Sequence, residues 1–187
     1  MSFNILPNVE HDWSNLPVTD EAVLCFITVK DQILLIHKLR GLGAGKINGP
    51  GGRLEDGENY LDAAIRETEE EVGLTPHELT PITRLHFRFL DGYNLRALVF
   101  RAYTYSGSLI STPEADPFWC SISDMPYDRM WEDDRHWLPR ALSGEYLNTR
   151  FTFDGDRMLD KHISAVAPES LLHDSLSCSE ARASTKR

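Results

Sequence analysis

One acidic helix in the first half of the chain constrains the fold more than any other feature. Apolar and small residues recur at helical spacing there, namely Tyr60, Leu61, Ala64, Ile65 and Thr68. Asn59 is a suitable N-cap, and Gly73 with Pro76 beyond it is typical of a helix end. The spacing therefore predicts a helix that opens at Asn59 and stops at Gly73.

The polar face of this predicted helix carries an unfavourable concentration of negative charge. Glu67, Glu70 and Glu71 lie three and four residues apart, so their carboxylates share one face, and Glu69 adds to the charge. These acids stand in the last turns, where the helix dipole disfavours an anion by about 0.3–1 kcal/mol. A hard divalent cation such as Mg²⁺ binds carboxylate oxygens and would relieve the repulsion. Taken alone, the pattern equally fits a solvated acidic surface.

A glycine-rich segment precedes the helix. Six glycines lie between residues 41 and 52, which excludes the interior of a regular helix or strand and predicts a loop. No Gly-Lys-Ser/Thr follows at phosphate-loop spacing, and no G-x-G-x-x-G leads into a helix, so both familiar phosphate-loop patterns are excluded. A flexible linker is the alternative, although it would be unusual between a strand and a helix inside one domain.

Strand-like stretches surround the loop and the helix. Residues 22–29 and 33–36 flank a Lys30-Asp31 turn and predict a hairpin. Further strands are predicted at 82–90, 95–105, 118–122, 151–153 and 158–163, and a second helix within 137–143. We therefore predict an α+β fold with one mixed β-sheet between helices.

The length of the chain suits one domain with some excess at both ends. We assign residues 1–19 to an N-terminal extension, 20–165 to the folded domain and 166–187 to a flexible Ser-rich tail without periodicity. No apolar run is long enough to span a bilayer, and the start lacks a basic patch followed by an apolar stretch. A membrane protein and a secretory signal are therefore not expected.

Charge and cysteine content narrow the partners and the compartment. The formal net charge of −10 argues against a wide basic groove for nucleic acid, so any bound phosphate is expected to arrive with a cation. Cys25, Cys120 and Cys178 follow no metal-binding spacing and cannot all pair, which suits a reducing cytosol. We expect a cytoplasmic protein that is a monomer or a small homo-oligomer.

The stretch from Gly52 to Leu74 resembles the Nudix box. It reads Gly52-x5-Glu58-x7-Arg66-Glu67-Thr68-Glu69-Glu70-Glu71-Val72-Gly73-Leu74, against the pattern G-x5-E-x7-R-E-U-x-E-E-x-G-U with U a large aliphatic residue. Every fixed Gly, Glu and Arg is present, and Thr68 at an aliphatic position is the one departure. The resemblance implies a Nudix-like α/β/α sandwich and a hydrolase that acts on phosphoanhydride bonds.

The Nudix resemblance also implies roles for the residues of the box. Glu67, Glu70 and Glu71 are implied to bind Mg²⁺, or Mn²⁺ in its place, and one of them to assist deprotonation of the attacking water. The implied structural residues are the ion pair Glu58 and Arg66, together with Gly52 and Gly73. A metal that bridges the phosphates offsets their charge and lowers the pKa of bound water.

A narrower resemblance, over roughly residues 22–163, is to the MutT-homologue branch of the family, which hydrolyses oxidised purine nucleoside triphosphates. The run from Lys38 to Gly49 and the later Met130-Trp131-Glu132-Asp133-Asp134 carry it. It implies substrate-binding roles for Lys38, Leu42, Asn48, Phe87, Phe89, Trp131, Asp133 and Asp134, and metal-associated roles for Glu114 and Gly51. Leu42 and Pro50 stand where better-known members have aromatic residues.

The chemistry of a purine agrees with these implied roles. An aromatic face such as Trp131 stacks on the base, and Asn48 with the two aspartates can bond its edge. Asp133 and Asp134 need not both be ionised, so one can donate while the other accepts, and the pocket could read different oxidised bases by moving that proton. The alternatives are a core or surface aromatic for Trp131, and a helix N-cap for either aspartate.

The sequence therefore predicts a Mg²⁺-dependent hydrolase of triphosphates such as 8-oxo-dGTP and 2-hydroxy-dATP, which releases a nucleoside monophosphate and pyrophosphate. One alternative is a Nudix hydrolase for another nucleoside diphosphate derivative, since the fold does not decide the substrate. The other is a non-catalytic nucleotide-binding regulator. We weight it low because no glutamate of the box is missing.

Overall fold

The structure is a computed structural model that describes residues 16–176. Ten strands and three α-helices follow one another within these residues. In chain order they are β1 Asp20–Val29, β2 Gln32–Lys38, β3 Ile47–Asn48, α1 Tyr60–Val72, β4 Leu74–His77, β5 Thr80–Phe89, β6 Asn94–Ala102, β7 Thr104–Gly107, β8 Ala115–Ser121, α2 Asp134–Leu142, β9 Leu147–Asp154, β10 Arg157–Ala165 and α3 Pro168–Ser175.

The main sheet is mixed and lies between helices. Its strand order is β10-β9-β5-β6-β1-β2-β3, with β8 paired to β2. β1 runs parallel to β6 and β5 runs parallel to β9, whereas β5 with β6 and β9 with β10 are antiparallel. One face buries Trp137 of α2 among phenylalanines, and the other buries residues of α1 and Leu171 of α3. The predicted α+β fold with a mixed sheet between helices is confirmed.

The acidic helix forms for the local reasons that its sequence indicates. The Asn59 side chain accepts from the backbone N–H of Asp62, and Gly73 adopts a left-handed φ of 74° with its N–H bonded to the Glu69 carbonyl. Thr68 is buried, and its hydroxyl donates to the Ala64 carbonyl at 2.7 Å. A threonine is thereby accommodated at the aliphatic position of the box without an unsatisfied hydroxyl.

Three predictions of local structure need correction. The stretch 95–105 is interrupted at Tyr103, and β7 pairs with the short β4 in a separate two-stranded sheet. The second helix begins at Asp134, three residues before its predicted start. The glycine-rich segment contains the two-residue strand β3, which pairs with β2.

The prediction of a flexible tail from residue 166 is wrong for α3. Leu171 of this helix is fully buried, and Arg84 on β5 bonds both the Ser170 carbonyl and the Asp174 carboxylate. Tertiary packing therefore orders a segment whose own sequence shows no periodicity. Residues 1–15 of the predicted extension and 177–187 of the predicted tail lie outside the described residues, so the domain division itself stays a prediction.

Two further sequence expectations concern membranes and thiols. Over residues 16–176, no helix is long and apolar enough to cross a membrane. Cys25 is a buried free thiol and Cys120 a half-buried one. Cys178 lies outside the described range.

Candidate active site

A cavity of about 400 Å³ opens where the glycine-rich segment, α1 and the α2 side of the sheet meet. Its volume is in the range of small-molecule sites. The structure brings together on its wall most of the residues predicted from sequence, namely Lys38, Leu42, Asn48, Gly51, Gly52, Glu67, Glu71, Phe87, Phe89, Glu114, Trp131, Asp133 and Asp134. Of the predicted metal ligands, Glu70 is not on this wall.

Two glycines allow the loop to lie directly against β1 and α1. A Cβ on Gly51 would stand 2.1 Å from the Val23 carbonyl oxygen, and one on Gly52 would stand 2.4 Å from the Glu67 carboxylate. The loop backbone bonds β1 through Val23 N–H to Gly52 O and Cys25 N–H to Pro50 O, at 2.9 and 2.8 Å. These contacts leave no space for a side chain, and they hold the loop against the acidic helix.

Glu71 is the most buried acid of the helix and is held from two sides. One carboxylate oxygen accepts from Lys38 Nζ at 3.0 Å, and the other from the Gly51 N–H at 2.9 Å. Burial raises the pKa of Glu71, Lys38 and the Gly51 N–H lower it, and the nearby Glu114 carboxylate raises it further. Lys38, predicted as a substrate-binding residue, thus lies in contact with a predicted metal ligand.

Glu67 is held by the arginine next to it in sequence. Arg66 donates from Nη1 to Glu67 at 2.9 Å, and it binds Glu58 with two further bonds of 2.8 Å each. Burial raises the pKa of Glu67, Arg66 lowers it, and Glu71 and Glu70 raise it. Arg66 therefore joins the loop residue Glu58 to the carboxylates of the helix, which is the arrangement expected of a structural ion pair.

The Glu70 side chain differs from those of Glu67 and Glu71. It is 62% exposed and accepts a bond of 3.2 Å from Arg66. Within residues 16–176, no three His, Cys, Asp or Glu side chains converge closely enough to form a metal-ion cluster. The ligand set Glu67, Glu70, Glu71, Glu114 and Gly51 therefore stays a prediction.

The opposite end of the cavity is aromatic. The Trp131 ring meets Phe89 and Phe153 edge-on, at centroid distances of 6.3 and 5.6 Å. Phe87 stacks on Phe151 at 5.7 Å. Trp131 is half-buried and lines the cavity, so neither a purely core position nor an isolated surface position describes it.

Asp133 and Asp134 are buried beside this aromatic wall, and no cation of residues 16–176 pairs with either. Asp133 accepts from Trp137 Nε1 at 2.9 Å with one oxygen, while its other oxygen, Oδ1, is buried without a hydrogen-bond partner. Asp134 accepts from the Trp131 N–H at 3.1 Å. Asp133 stands at the N-cap position of α2, but its side chain makes no capping bond. The N-cap alternative therefore does not account for it.

Burial dominates the electrostatics of this aspartate pair. It raises the pKa of Asp133 to about 7, and the neighbouring Glu132 contributes in the same direction. The pKa of Asp134 lies well above its usual range, because of burial first and of the adjacent Asp133 second. At neutral pH this end of the cavity therefore offers protonated as well as ionised carboxyl groups.

Sequence reasoning missed two cations and a phenol on the cavity wall. Arg40 and Arg53 flank the glycine-rich segment, and Tyr93 follows β5. Arg53 pairs with Asp20 at 2.9 Å, and Tyr93 donates to the same carboxylate at 2.9 Å. Arginines at both ends of a glycine-rich loop in an acidic chain were the available indication.

A family model for the NUDIX domain matches residues 18–141. The chain belongs to the Nudix family. The match covers the cavity-lining glycines, the acidic helix and the Trp131 segment, so the resemblance inferred from the sequence is confirmed. As a Nudix hydrolase, the protein has its predicted fold and its predicted enzyme class.

Similar proteins extend over most of this Nudix chain. It is 36% identical over 140 residues to the "Oxidized purine nucleoside triphosphate hydrolase" of Danio rerio, and the aligned region covers 74% of this chain and 90% of that protein. It is 32% identical over 145 residues to the protein of the same name from Mus musculus, covering 76% and 93%. The crystal structure of a MutT mutator protein from Bacillus halodurans superposes with a TM-score of 0.69 at 24% identity, over 78% of this chain and 97% of that one. This last likeness concerns the fold.

Proposed function

We propose that this Nudix hydrolase is a divalent-metal-dependent pyrophosphohydrolase of oxidised purine nucleoside triphosphates, which releases a nucleoside monophosphate and pyrophosphate. One observation carries the proposal: a single cavity joins a wall of ionisable glutamates to an aromatic wall with two buried aspartates, neither of which pairs with a cation of residues 16–176. The first wall suits phosphates with a metal, and the second suits a base. The names of the zebrafish and mouse relatives support the same substrate class.

The glutamate wall fits a hard cation in its donor chemistry. Glu67, Glu71 and Glu114 line the cavity, and burial first, then repulsion from neighbouring carboxylates, raises the pKa of Glu67 and of Glu71. We propose Mg²⁺, with Mn²⁺ as an alternative. When bound, such an ion lowers the pKa of coordinated water and offsets phosphate charge.

The residues around the glutamates keep them ionised and oriented. Lys38 and the Gly51 N–H hold Glu71, and Arg66 holds Glu67. In our proposal the two carboxylates would hold the metal, which would supply an activated water, and one of them would take the proton of that water. Arg40 and Arg53 on the same cavity wall supply positive charge for the phosphates.

The aromatic wall is proposed to bind the base. Trp131 offers a face for stacking, while Phe87, Phe89 and Leu42 complete the apolar lining. The Asn48 oxygen already accepts from the Gly49 N–H at 2.8 Å, so its amide group is the part that can donate to a base. A protonated carboxyl in the aspartate pair donates to a carbonyl or ring nitrogen, and an ionised one accepts from an N–H.

A substrate comparison tests the proposal directly. Steady-state release of pyrophosphate is measured with 8-oxo-dGTP, 2-hydroxy-dATP, dGTP and a nucleotide sugar, in the presence and absence of Mg²⁺. We expect the oxidised purines to have the highest kcat/KM and all turnover to require the metal. Preference for the nucleotide sugar would favour the alternative of another nucleoside diphosphate derivative. Absence of turnover with tight nucleotide binding would favour a regulator.

Partners and location complete the proposal. As a Nudix nucleotide hydrolase, the protein has a small-molecule nucleotide as its substrate. We propose further that it requires no nucleic acid and no membrane, that it acts in the cytoplasm, and that it is a monomer or a small homo-oligomer. The net charge of −10 supports the first of these statements.

A further inference from the structure

Lys46 lies between the glycine-rich segment and the tip of the β9–β10 hairpin. Its ammonium group stands 4.9 Å from the centroid of the Trp131 ring and 3.0 Å from the Asp156 carboxylate. The Lys46 side chain is 23% exposed, whereas that of Asp156 is 72% exposed. The ammonium is thus largely withdrawn from water against the indole, and its ion pair with so exposed a carboxylate contributes little to holding it there.

The hairpin also holds the chain next to Trp131. The Met158 N–H donates to the Glu132 carboxylate at 2.8 Å, at the place where the pairing of β10 with β9 shifts register between Met158 and Asp160. A bulge of this kind directs backbone N–H and C=O groups away from the regular hydrogen bonds between the strands. One hairpin therefore contacts both Lys46 and the residue that follows Trp131.

The glycine-rich segment packs on the same indole. A Cβ on Gly43 would stand 2.8 Å from Trp131 Nε1, so the backbone at this position lies directly against the ring. Trp131 lines the cavity, whereas Lys46 does not. The ammonium over the indole thus belongs to a residue that is not part of the cavity lining.

We propose that Lys46 is a positioning residue that sets the base specificity of this enzyme through Trp131. It fixes the plane of the indole, and its charge draws π-electron density away from the ring face that the base would contact. A ring depleted in this way stacks best on an electron-rich base, and the added oxygen substituent of an oxidised purine makes the base more electron-rich. This inference rests on the function proposed above.

Substitution at Lys46 separates charge from packing. Lys46→Met removes the charge and keeps the length of the side chain, and Lys46→Arg keeps a cation that stacks well on aromatic rings. We expect Lys46→Met to raise KM for the preferred oxidised purine triphosphate by about two- to fivefold, with a smaller rise for dGTP and kcat almost unchanged. Lys46→Arg should restore KM, and Asp156→Asn should leave KM close to the wild-type value because its exposed ion pair contributes little.

Two controls exclude a general effect on the site. Lys161→Met removes one lysine charge from the β9–β10 hairpin that contacts Lys46. Lys161 itself contacts His136 at 3.1 Å, and its replacement should leave KM unchanged. Inhibition by tripolyphosphate, which has no base, should be equal in wild type and Lys46→Met. An unchanged KM in Lys46→Met, or a parallel change in tripolyphosphate inhibition, would overturn the assignment.

A binding measurement separates this inference from the proposed function. If the wild type hydrolyses none of the oxidised purine triphosphates, the proposed function fails. Quenching of the Trp131 fluorescence by 8-oxo-dGMP, taken as the difference between wild type and Trp131→Phe, then tests Lys46 alone. Weaker binding in Lys46→Met than in wild type supports the positioning role, and identical titrations contradict it.

Discussion

Both ends of the cavity carry buried carboxyl groups, but the side chains that contact these groups differ in charge. At the proposed phosphate end, Glu71 and Glu67 are held by Lys38 and Arg66, so each carboxylate has a cation beside it. At the proposed base end, Asp133 is held by the indole N–H of Trp137, and its second oxygen has no partner among residues 16–176. Both ends are buried, so burial alone does not decide the charge of a carboxyl group here.

The difference between the ends shows what selects the protonation state. Burial raises the pKa at both ends, but a cation in contact partly offsets this for the glutamates, and no cation of the described chain does so for the aspartates. A carboxyl group that holds a metal has to be ionised, whereas one that donates to a base has to keep its proton. In the proposed function, the placement of Lys38 and Arg66 therefore separates these two tasks within one cavity.

The largest expected effect is at the phosphate end. Glu71→Gln and Glu70→Gln should each lower kcat by about 10²–10⁴-fold, because a neutral amide is a poor metal ligand and no base. Pyrophosphate release at saturating Mg²⁺ measures this, and circular dichroism checks that the variants are folded. Glu69→Gln, whose parent side chain accepts from Thr75, is the matched control and should keep wild-type activity. Full activity of Glu70→Gln would remove this exposed side chain from the ligand set.

The next largest loss of activity is expected at the proposed base end. Asp134→Asn and Asp133→Asn keep the size of the side chain but cannot exchange a proton, so they should lower kcat/KM for the oxidised purines by about 10–100-fold. The ratio between 8-oxo-dGTP and 2-hydroxy-dATP should change in at least one variant. Tripolyphosphate inhibition should stay unchanged. Selectivity identical to wild type in both variants would refute the idea that the pair reads the base by moving a proton.

A third prediction concerns Arg66, the cation that holds Glu67 at the proposed phosphate end. Arg66→Leu leaves Glu58 and Glu67 without their common partner and should lower the free energy of unfolding by about 1–3 kcal/mol. Arg66→Lys should recover only part of it, because a single ammonium cannot bind Glu58 with two bonds as the guanidinium does. Urea unfolding at neutral pH measures both. Equal stability of all three proteins would show that the ion pair contributes nothing to the fold.

The phosphate end could be predicted from sequence because its determinants are local. Asn59 and Gly73 cap α1 as their types indicate, and the spacing of Glu67 and Glu71 places both on one face. The exposure of Glu70 could not be predicted in this way, because it depends on tertiary contacts. Arg66, which contacts Glu70, also bonds Glu58 on the preceding loop. Helical spacing brings side chains to one face, but tertiary contacts decide which of them reach the cavity.

The base end and α3 depend on contacts far apart in sequence. The high pKa of Asp133 requires the packing of α2 on the sheet, and the contact between Lys46 and Trp131 joins two segments more than eighty residues apart. Leu171 is buried because α3 packs against β5. A short helix with little periodicity gives no local indication of such packing. Family resemblance identified the aspartates, but only the structure shows that they lack a cation.

The last prediction tests whether the two aspartates lack ionic support from residues 16–176. The pKa of Asp133 is about 7 in the folded protein and about 4 in the unfolded chain, so between these values the folded state holds a proton that the unfolded state releases. Stability from this group is complete below pH 4 and is lost as the pH rises through 7. Asn at this position keeps the acceptor for Trp137 and does not titrate. The free energy of unfolding of Asp133→Asn, relative to wild type, should therefore rise by about 2–3 kcal/mol between pH 5 and pH 8.

Urea unfolding of wild type, Asp133→Asn and Asp134→Asn at both pH values measures this change. Glu132 raises the pKa of Asp133, and Asp133 in turn raises the pKa of Asp134, so Asp134→Asn should keep the Asp133 transition. A relative stability that stays the same at pH 5 and pH 8 would mean that Asp133 ionises normally. The contrast between the ends would then be lost, because both would hold charged carboxylates and base recognition would have to depend on Asn48 and stacking alone.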